Sequence, residues 1–235
     1  MNNTAGIYQW PLPQQTKSYS VIPNSRIDEI CHEQATKNGL SIVEELVDSK
    51  RFGSTIVRYK MKPSSIADTD NDLSLMAAWK NSYDKTVSFG FAIGSIVNIC
   101  TNGMVNGEFT LKRRHTGNAP LYVEEVIKEY FSKIKEVHLK NIKFKEVLQK
   151  QEIAESELNR FLGTLLRDKR RIFTAQQIQR FIKECSESVN FNTVGKDFTA
   201  WDLYNAGTES LKSSSVNSSF KRHRDFHNFA EEYFL

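Results

Sequence analysis

The chain has 235 residues, 39% of them hydrophobic, which is enough to bury a sizeable core and argues against a disordered protein. Its 32 lysines and arginines against 28 aspartates and glutamates give a net charge of +4, too small to indicate a polyanion partner unless the cations cluster. No stretch approaches the ~20 apolar residues of a membrane helix, and the start lacks the pattern of a signal peptide. Three widely spaced cysteines indicate neither a disulfide framework nor a thiolate zinc site, so we expect a cytoplasmic protein without membrane contact.

The start of the chain is predicted to contain an arm and a helix. Residues 1–22 are polar and proline-bearing, which favours an extended arm. Ser25 with Asp28 three residues later has the pattern of a capping box. Apolar residues then recur at helical spacing until Gly39, which predicts one amphipathic helix after the arm.

An antiparallel sheet is predicted to follow. Segments rich in Ile, Val and other apolar residues alternate with polar turns, as is typical of strands joined by hairpins. Gly90 and Gly94 interrupt the fourth segment and indicate a bulge or a bend, since glycine weakens a regular strand. The predicted strands are residues 41–47, 54–61, 73–80, 87–100 and 109–113.

The pattern changes to helical periodicity after residue 120. Apolar residues recur every three or four positions, and Thr174 with Gln177 forms a second capping-box pattern. The serine-rich segment 213–219 predicts a loop. The predicted helices are residues 122–137, 153–166, 174–185 and 199–211, with a last helix beginning near Phe220.

Strands first and helices after predict an α+β fold. We expect an antiparallel sheet in the N-terminal half followed by a helical C-terminal half, with the helices on one face or end of the sheet. The chain is divided into the arm (residues 1–22), a sheet-rich half with one leading helix (23–118) and a helical half (119–235), packed together as one domain.

Two blocks of sequence resemble a known family. The first is an Asn-Ser-Tyr-Asp-Lys turn (residues 81–85), then a strand, then a Cys-x-Asn-Gly-Met turn (100–104). The second is TAWDLYNAGTESLK (199–212), followed by HRDFHNF. Both are similar to blocks of a phage/plasmid-like family, the domain of unknown function 932. The resemblance implies relatives of phage or mobile-element origin in a bacterial host, and implies no reaction.

The first block favours a structural turn over a binding site, with two exceptions. Asn81, Ser82 and Asp84 are residue types that stabilise a turn by bonding their own backbone. Tyr83 and Lys85 are not required by a turn, and an aromatic ring beside a cation suits a stacked base with its phosphate.

The second turn of that block and the second block are also explained by structure. Asn102 and Gly103 form a tight-turn pair, and Cys100 at the end of an apolar run is expected to be buried and inert rather than nucleophilic. Trp201 and Tyr204 follow a helical stripe typical of a core. Asp202 and Asn205 lie off that stripe, where capping of backbone groups is the expected role and orienting a partner strand the alternative.

No metal, cofactor or catalytic motif is indicated. His223 and His227 would share a helix face, but a third metal ligand is missing, so surface or supporting histidines are favoured. Phosphate-loop, dinucleotide, zincin and nucleophile-elbow patterns are absent from the sequence. We predict that the protein is not an enzyme.

The cations are clustered in three runs near predicted element ends. The runs are residues 112–115, 167–171 and 221–224. Each is explained singly as a solvated helix or strand end, but two of them on one surface with the first block would form a charged groove with an aromatic platform. The predicted nucleic-acid contacts are Tyr83, Lys85, Arg113, Arg114, Arg170 and Arg171.

These features predict a non-enzymatic DNA-binding protein of phage or mobile-element origin. A basic groove that holds extended strands would suit single-stranded DNA binding or annealing in recombination without nucleotide hydrolysis, and lining up many bases would require a homo-oligomer. The alternatives are a host-interaction module that blocks a defence system, a structural component of a virion, and, last, an enzyme using Cys100 or the two histidines.

Overall fold

The computed structural model describes residues 5–50, 53–64, 72–98 and 103–235. Over these ranges a five-stranded antiparallel sheet is followed by helices, which confirms the α+β prediction. The strands are β1 (Leu40–Lys50), β2 (Ser54–Pro63), β3 (Leu73–Ser82), β4 (Phe89–Val97) and β5 (Gly103–Arg113). The helices are α1 (Ala5–Tyr8), α2 (Asn24–Lys37), α3 (Ala119–Gln149), α4 (Glu155–Arg167), α5 (Ala175–Glu187), α6 (Ala200–Leu211) and α7 (Ser219–Phe234).

The sheet is a meander in which each strand pairs with the next, in the order β1-β2-β3-β4-β5. The register shifts between Ala92 and Gly94 on β4, which confirms the irregularity predicted from its glycines. None of the helices within the described ranges has both the length and the apolar content to cross a bilayer.

Helical segments cover both faces of the sheet, which corrects the expectation of one face or end. Helices α2 and α3 pack on the face that includes Tyr59, Trp79 and Phe91. Val216 and Phe220, where the chain enters α7, pack on the opposite face. The physical reason is that β3 and β4 are buried along their whole length, so neither face can be left to solvent.

Buried Lys80 on β3 links the sheet to the segment that precedes α7. Its Nζ donates to the backbone oxygens of Val216 at 3.1 Å and Asn217 at 2.6 Å. Burial, followed by the nearby charge of Lys112, lowers the pKa of Lys80 to about 8. Gly90 leaves room for this side chain, because a Cβ there would lie 2.8 Å from Lys80 Cε. The sheet and the C-terminal helices are therefore joined by a buried polar contact.

The helical half has an aromatic core that continues into the sheet. Phe161, Phe181, Tyr204 and Phe226 are fully buried there, and residues of β3, β4 and β5 belong to the same cluster. Edge-to-face and stacked contacts join these rings, which is the geometry that aromatic pairs prefer. The two halves thus share a hydrophobic core.

Two predictions for the start of the chain were wrong. Residues 5–8 of the predicted extended arm form a helical turn, and Ile7, Tyr19 and Ile22 are buried, because apolar side chains scattered along the arm pack on the body of the protein. The predicted capping box at Ser25 does not form. Pro23 precedes the helix without a side-chain cap, and Asp28 instead accepts a hydrogen bond from Tyr59 Oη at 2.6 Å.

Candidate nucleic-acid interface

Asn81 is the centre of a buried polar cluster at the end of β3. It lies in the strand rather than in the predicted turn and is fully buried. Its Nδ2 donates to the carbonyl of Ile22 at 2.7 Å and to Asn24 Oδ1 at 2.8 Å. Its Oδ1 is 2.7 Å from Nε2 of His115, which therefore acts as the donor. One amide thus joins the arm, α2 and the end of β5 to the sheet.

The neighbouring polar residues of the first block bond their own turn, as predicted. Ser82 ends β3, and its Oγ donates to the carbonyl of Val87 and accepts from the Val87 amide, both at 2.9 Å. Asp84 Oδ1 accepts from the amide of Thr86 at 3.0 Å and from its hydroxyl at 2.6 Å. These side chains shape the connection between β3 and β4.

Tyr83 holds the arm and α2 in place. Its hydroxyl accepts from the amide of Asn24 at 2.8 Å, which satisfies a donor at the first turn of α2. Its ring lies edge-on to Trp10, with centroids 6.2 Å apart. Because the ring is half-buried, burial also raises the pKa of Tyr83. The interpretation of Tyr83 as an open stacking platform is not supported by these contacts.

Lys85 lies at the tip of the β3–β4 connection above another tyrosine. Its backbone has a positive φ of 65°, and its Nζ lies 4.8 Å from the ring centroid of Tyr19. Tyr19 in turn stacks on His115, with centroids 5.2 Å apart. Sequence reasoning missed Tyr19, because nothing local to the arm indicates which strand end it meets.

Arg113 and Arg114 lie at the same end of the sheet, since Arg113 pairs with Phe89 at the start of β4. The Arg113 guanidinium is 5.0 Å from the ring centroid of Tyr122, and its Nη2 donates to Asn118 at 3.3 Å. Arg114 is exposed. The contacts of Lys85 and Arg113 are thus with rings and an amide rather than with carboxylates. We call Lys85, Arg113 and Arg114 the cationic sheet end.

Arg170 and Arg171 do not join this group. The Arg170 guanidinium lies 2.6 Å from Asp168 Oδ2 and 2.8 Å from Glu232 Oε2, and these bonds raise the pKa of Arg170 further above its usual range. Glu232 lies 12 residues beyond Phe220 on α7, roughly 18 Å along the helix axis from the turn that meets the sheet. Arg171 is exposed in the same segment. The predicted groove uniting all six contacts does not form.

The second block is structural. Trp201 and Tyr204 are buried in the aromatic core. Asp202 completes a capping box with Thr199, which confirms the capping role expected for it. Asn205 donates to the carbonyl of Trp201 at 2.9 Å. Of the other turn residues, Gly103 begins β5, whereas Cys100 and Asn102 lie outside the described residues.

The two histidines of α7, His223 and His227, are buried rather than at the surface. His227 is almost fully buried, with Nδ1 3.0 Å from the hydroxyl of Tyr204 and Nε2 3.4 Å from Glu231 Oε1.

Burial raises the pKa of the thiols of Cys31 and Cys185, which lowers their reactivity as nucleophiles.

We expect the buried cluster around Asn81 to make the protein acid-sensitive. Burial lowers the pKa of His115 from 6.5 to about 4, so its contribution to stability is complete above pH 6.5 and is lost as the pH falls towards 4. The loss should be about 2–3 kcal/mol. Urea unfolding at several pH values should show a flatter profile for His115→Gln. The control variant His32→Gln, at an exposed histidine of α2, should lose stability at low pH as the wild type does. An equally steep pH profile in His115→Gln would show that His115 is not the source of the acid sensitivity.

Comparison with known proteins identifies one family match. The model of a family described as a domain of unknown function (DUF932) matches residues 11–227. No curated protein and no solved structure matches the chain.

Proposed function

Since the matched region spans most of the chain, the protein belongs to the DUF932 family, whose description assigns no activity. We propose, from the geometry, that the protein binds single-stranded nucleic acid without enzymatic activity at the cationic sheet end. The observation that carries the proposal is that Lys85, Arg113 and Arg114 converge at one end of the sheet without carboxylate partners among their described contacts. The proposed role is strand binding or annealing in recombination, by a homo-oligomer in the cytoplasm of a bacterial host.

The electrostatics of this sheet end support a polyanion ligand. The nearest carboxylate in sequence, Asp84, keeps its negative charge while it accepts two hydrogen bonds from Thr86, but the three cations of this sheet end outnumber it. Three cations near one another attract phosphates and release their counterions on binding, which is the main source of affinity in sequence-independent nucleic-acid binding. The cations are presented by a strand end and a tight turn, so they are held in position.

One accessible aromatic ring, that of Tyr122, supports a single strand over a duplex. Tyr19 lies beneath Lys85, and Tyr122 lies beneath Arg113. Tyr122 is exposed by 39%, so part of its ring is accessible to an unpaired base. Base–aromatic stacking tolerates any sequence, because every base has a π-face.

The polar residues of the two sequence blocks have structural roles. Asn81, Ser82 and Asp84 are engaged in contacts that build the fold, and Asp202 caps α6. These residues are therefore explained without a substrate.

We expect removal of two cations to weaken binding strongly. The double variant Lys85→Gln, Arg114→Gln should lower the affinity for a fluorescent single-stranded oligonucleotide about tenfold or more at low salt. The slope of log affinity against log salt should also shrink, by about 0.7 for each lost phosphate contact. Fluorescence anisotropy over a salt series measures both.

A charge-matched control separates this site from general electrostatics. Arg160→Gln with Lys183→Gln removes the same charge from exposed side chains of α4 and α5 that pair with acidic neighbours, and should leave affinity and slope nearly unchanged. Equal losses in both double variants, or no salt-sensitive binding by the wild type, would reject the proposal.

A further inference from the structure

A polar cavity of about 430 Å³ lies between the start of α5 and the serine-rich segment before α7. Two arginines, Arg180 and Arg222, line it together with the hydroxyls of Ser213, Ser214 and Ser218. The cavity involves none of the residues of the cationic sheet end. Its chemistry is dominated by hydrogen-bond donors.

Arg222 brings a positive charge whose contacts are neutral. Its guanidinium donates to the carbonyl of Ile172 and, at 3.0 Å, to Gln177 Oε1. Both acceptors are uncharged, so they fix the direction of the guanidinium without cancelling its charge. A half-buried cation held in this way favours an anion in the adjoining space.

Gln177 fixes the hydroxyls on the other side of the cavity. It is 5% exposed, and its Nε2 donates to the hydroxyls of Ser213 at 3.3 Å and Ser214 at 3.0 Å. Since these hydroxyl oxygens accept from Gln177, each hydroxyl can donate its own proton to another group. Ser213 directs its proton to the carbonyl of Ser210, which leaves the Ser214 proton for a ligand.

Arg180 adds a second guanidinium, and its carboxylate partner Glu209 is shared with Lys212. Its Nη2 lies 3.0 Å from Glu209 Oε1, while Lys212 Nζ lies 2.6 Å from Glu209 Oε2. One carboxylate therefore serves two cations. Glu184 lies farther off, at 4.0 Å from Arg180 Nε. Together with Arg222, the local balance is positive.

We propose that this cavity binds a phosphate monoester. Arginine forks and hydroxyl donors match the three terminal oxygens and the negative charge of such a group. The phosphate can be carried by a free nucleotide or by the 5′ end of a nucleic-acid strand. This second site is separate from the cationic sheet end and does not depend on the function proposed there.

The test is a calorimetric titration of the full chain with inorganic phosphate, a nucleoside 5′-monophosphate, and one oligonucleotide with and without a 5′-phosphate. We expect Arg222→Gln to weaken binding of the monophosphate about tenfold, and Arg180→Gln to weaken it about fivefold. The Arg180→Gln variant is needed because Arg222 also supports the fold, so its replacement could weaken binding through misfolding. Arg180 is half-exposed, and its replacement is expected to disturb the fold less. Arg160→Gln, an exposed and ion-paired control on α4, should bind as the wild type does.

The source of the phosphate follows from the oligonucleotide pair. If the 5′-phosphorylated strand binds more tightly than the unphosphorylated strand, and Arg180→Gln abolishes this difference, the site binds strand ends. If both strands bind equally while the nucleoside monophosphate still binds, the site binds free nucleotides. The cavity proposal is overturned if no phosphate-bearing probe binds, or if the two cavity variants bind the monophosphate as the wild type does. Lys85→Gln, Arg114→Gln should leave monophosphate binding unchanged, so the two proposed sites can fail independently.

Discussion

Replacement of Gly207 by alanine is expected to lower the free energy of unfolding by about 2–3 kcal/mol. An added Cβ would lie 2.3 Å from Phe226 Cζ and 2.6 Å from its Cε1, with Phe181 Cζ at 3.1 Å. Both phenylalanines are fully buried in the aromatic core, so their rings cannot move aside without disturbing their neighbours. The expected loss is a packing effect of a single methyl group.

The sign of this change is its diagnostic feature. In an exposed helix interior, glycine to alanine stabilises by about 1 kcal/mol, because alanine has the higher helix propensity. Gly163 on α4 is such a position, with no heavy atom within 4 Å of an added Cβ. Urea unfolding should show Gly163→Ala stabilised and Gly207→Ala destabilised. Two changes of the same sign would contradict the packing described for α6 and α7.

Asn81→Ala is the second change with a large expected effect, a loss of about 3–4 kcal/mol in unfolding free energy. The variant would remove the hydrogen bonds to Ile22, Asn24 and His115 in a region sealed from water. The partners would remain buried without their acceptor or donor, and such orphaned groups cost more than the bond itself contributes.

The location of that loss can also be measured. Hydrogen exchange should increase first in residues 5–22, because Asn81 holds this segment to the sheet. Asn118→Ala is the matched control, since this asparagine is exposed and should change stability by less than about 0.5 kcal/mol. A variant Asn81→Ala with wild-type stability and exchange would show that the arm is held by other contacts.

Apart from the short α1, the order and type of the strands and helices could be predicted from the sequence, because apolar periodicity and caps act over a few residues. The capping box at Thr174 formed as expected, while the one at Ser25 did not. Pro23 is the residue before α2 and has no capping side chain, and the hydroxyl of Tyr83 accepts from the amide of Asn24 instead. The covering of both sheet faces was missed. It depends on Val216 and Phe220, whose packing partners lie far away in the chain.

The candidate site was predictable only in part for the same reason. The cations Lys85, Arg113 and Arg114 could be singled out by their runs and turns. Their convergence depends on the register of β4 and β5, which local sequence does not encode. The pairing of Arg170 with Asp168, two residues away, was open to sequence reasoning and was overlooked, whereas its pairing with Glu232, 62 positions later, is not indicated by any local pattern.

The bond between Lys80 and Asn217 spans 137 positions, and this distance matters while the chain is being synthesised. At ribosomal rates of about 5–20 residues per second, the strands emerge on the order of ten seconds before the carbonyls that receive the ammonium of Lys80. Over that interval one side of the nascent sheet, with Met76 and Ala78, has no cover. Chaperone capture of the unfinished chain is therefore expected to begin on that side and to end when residue 220 leaves the exit tunnel.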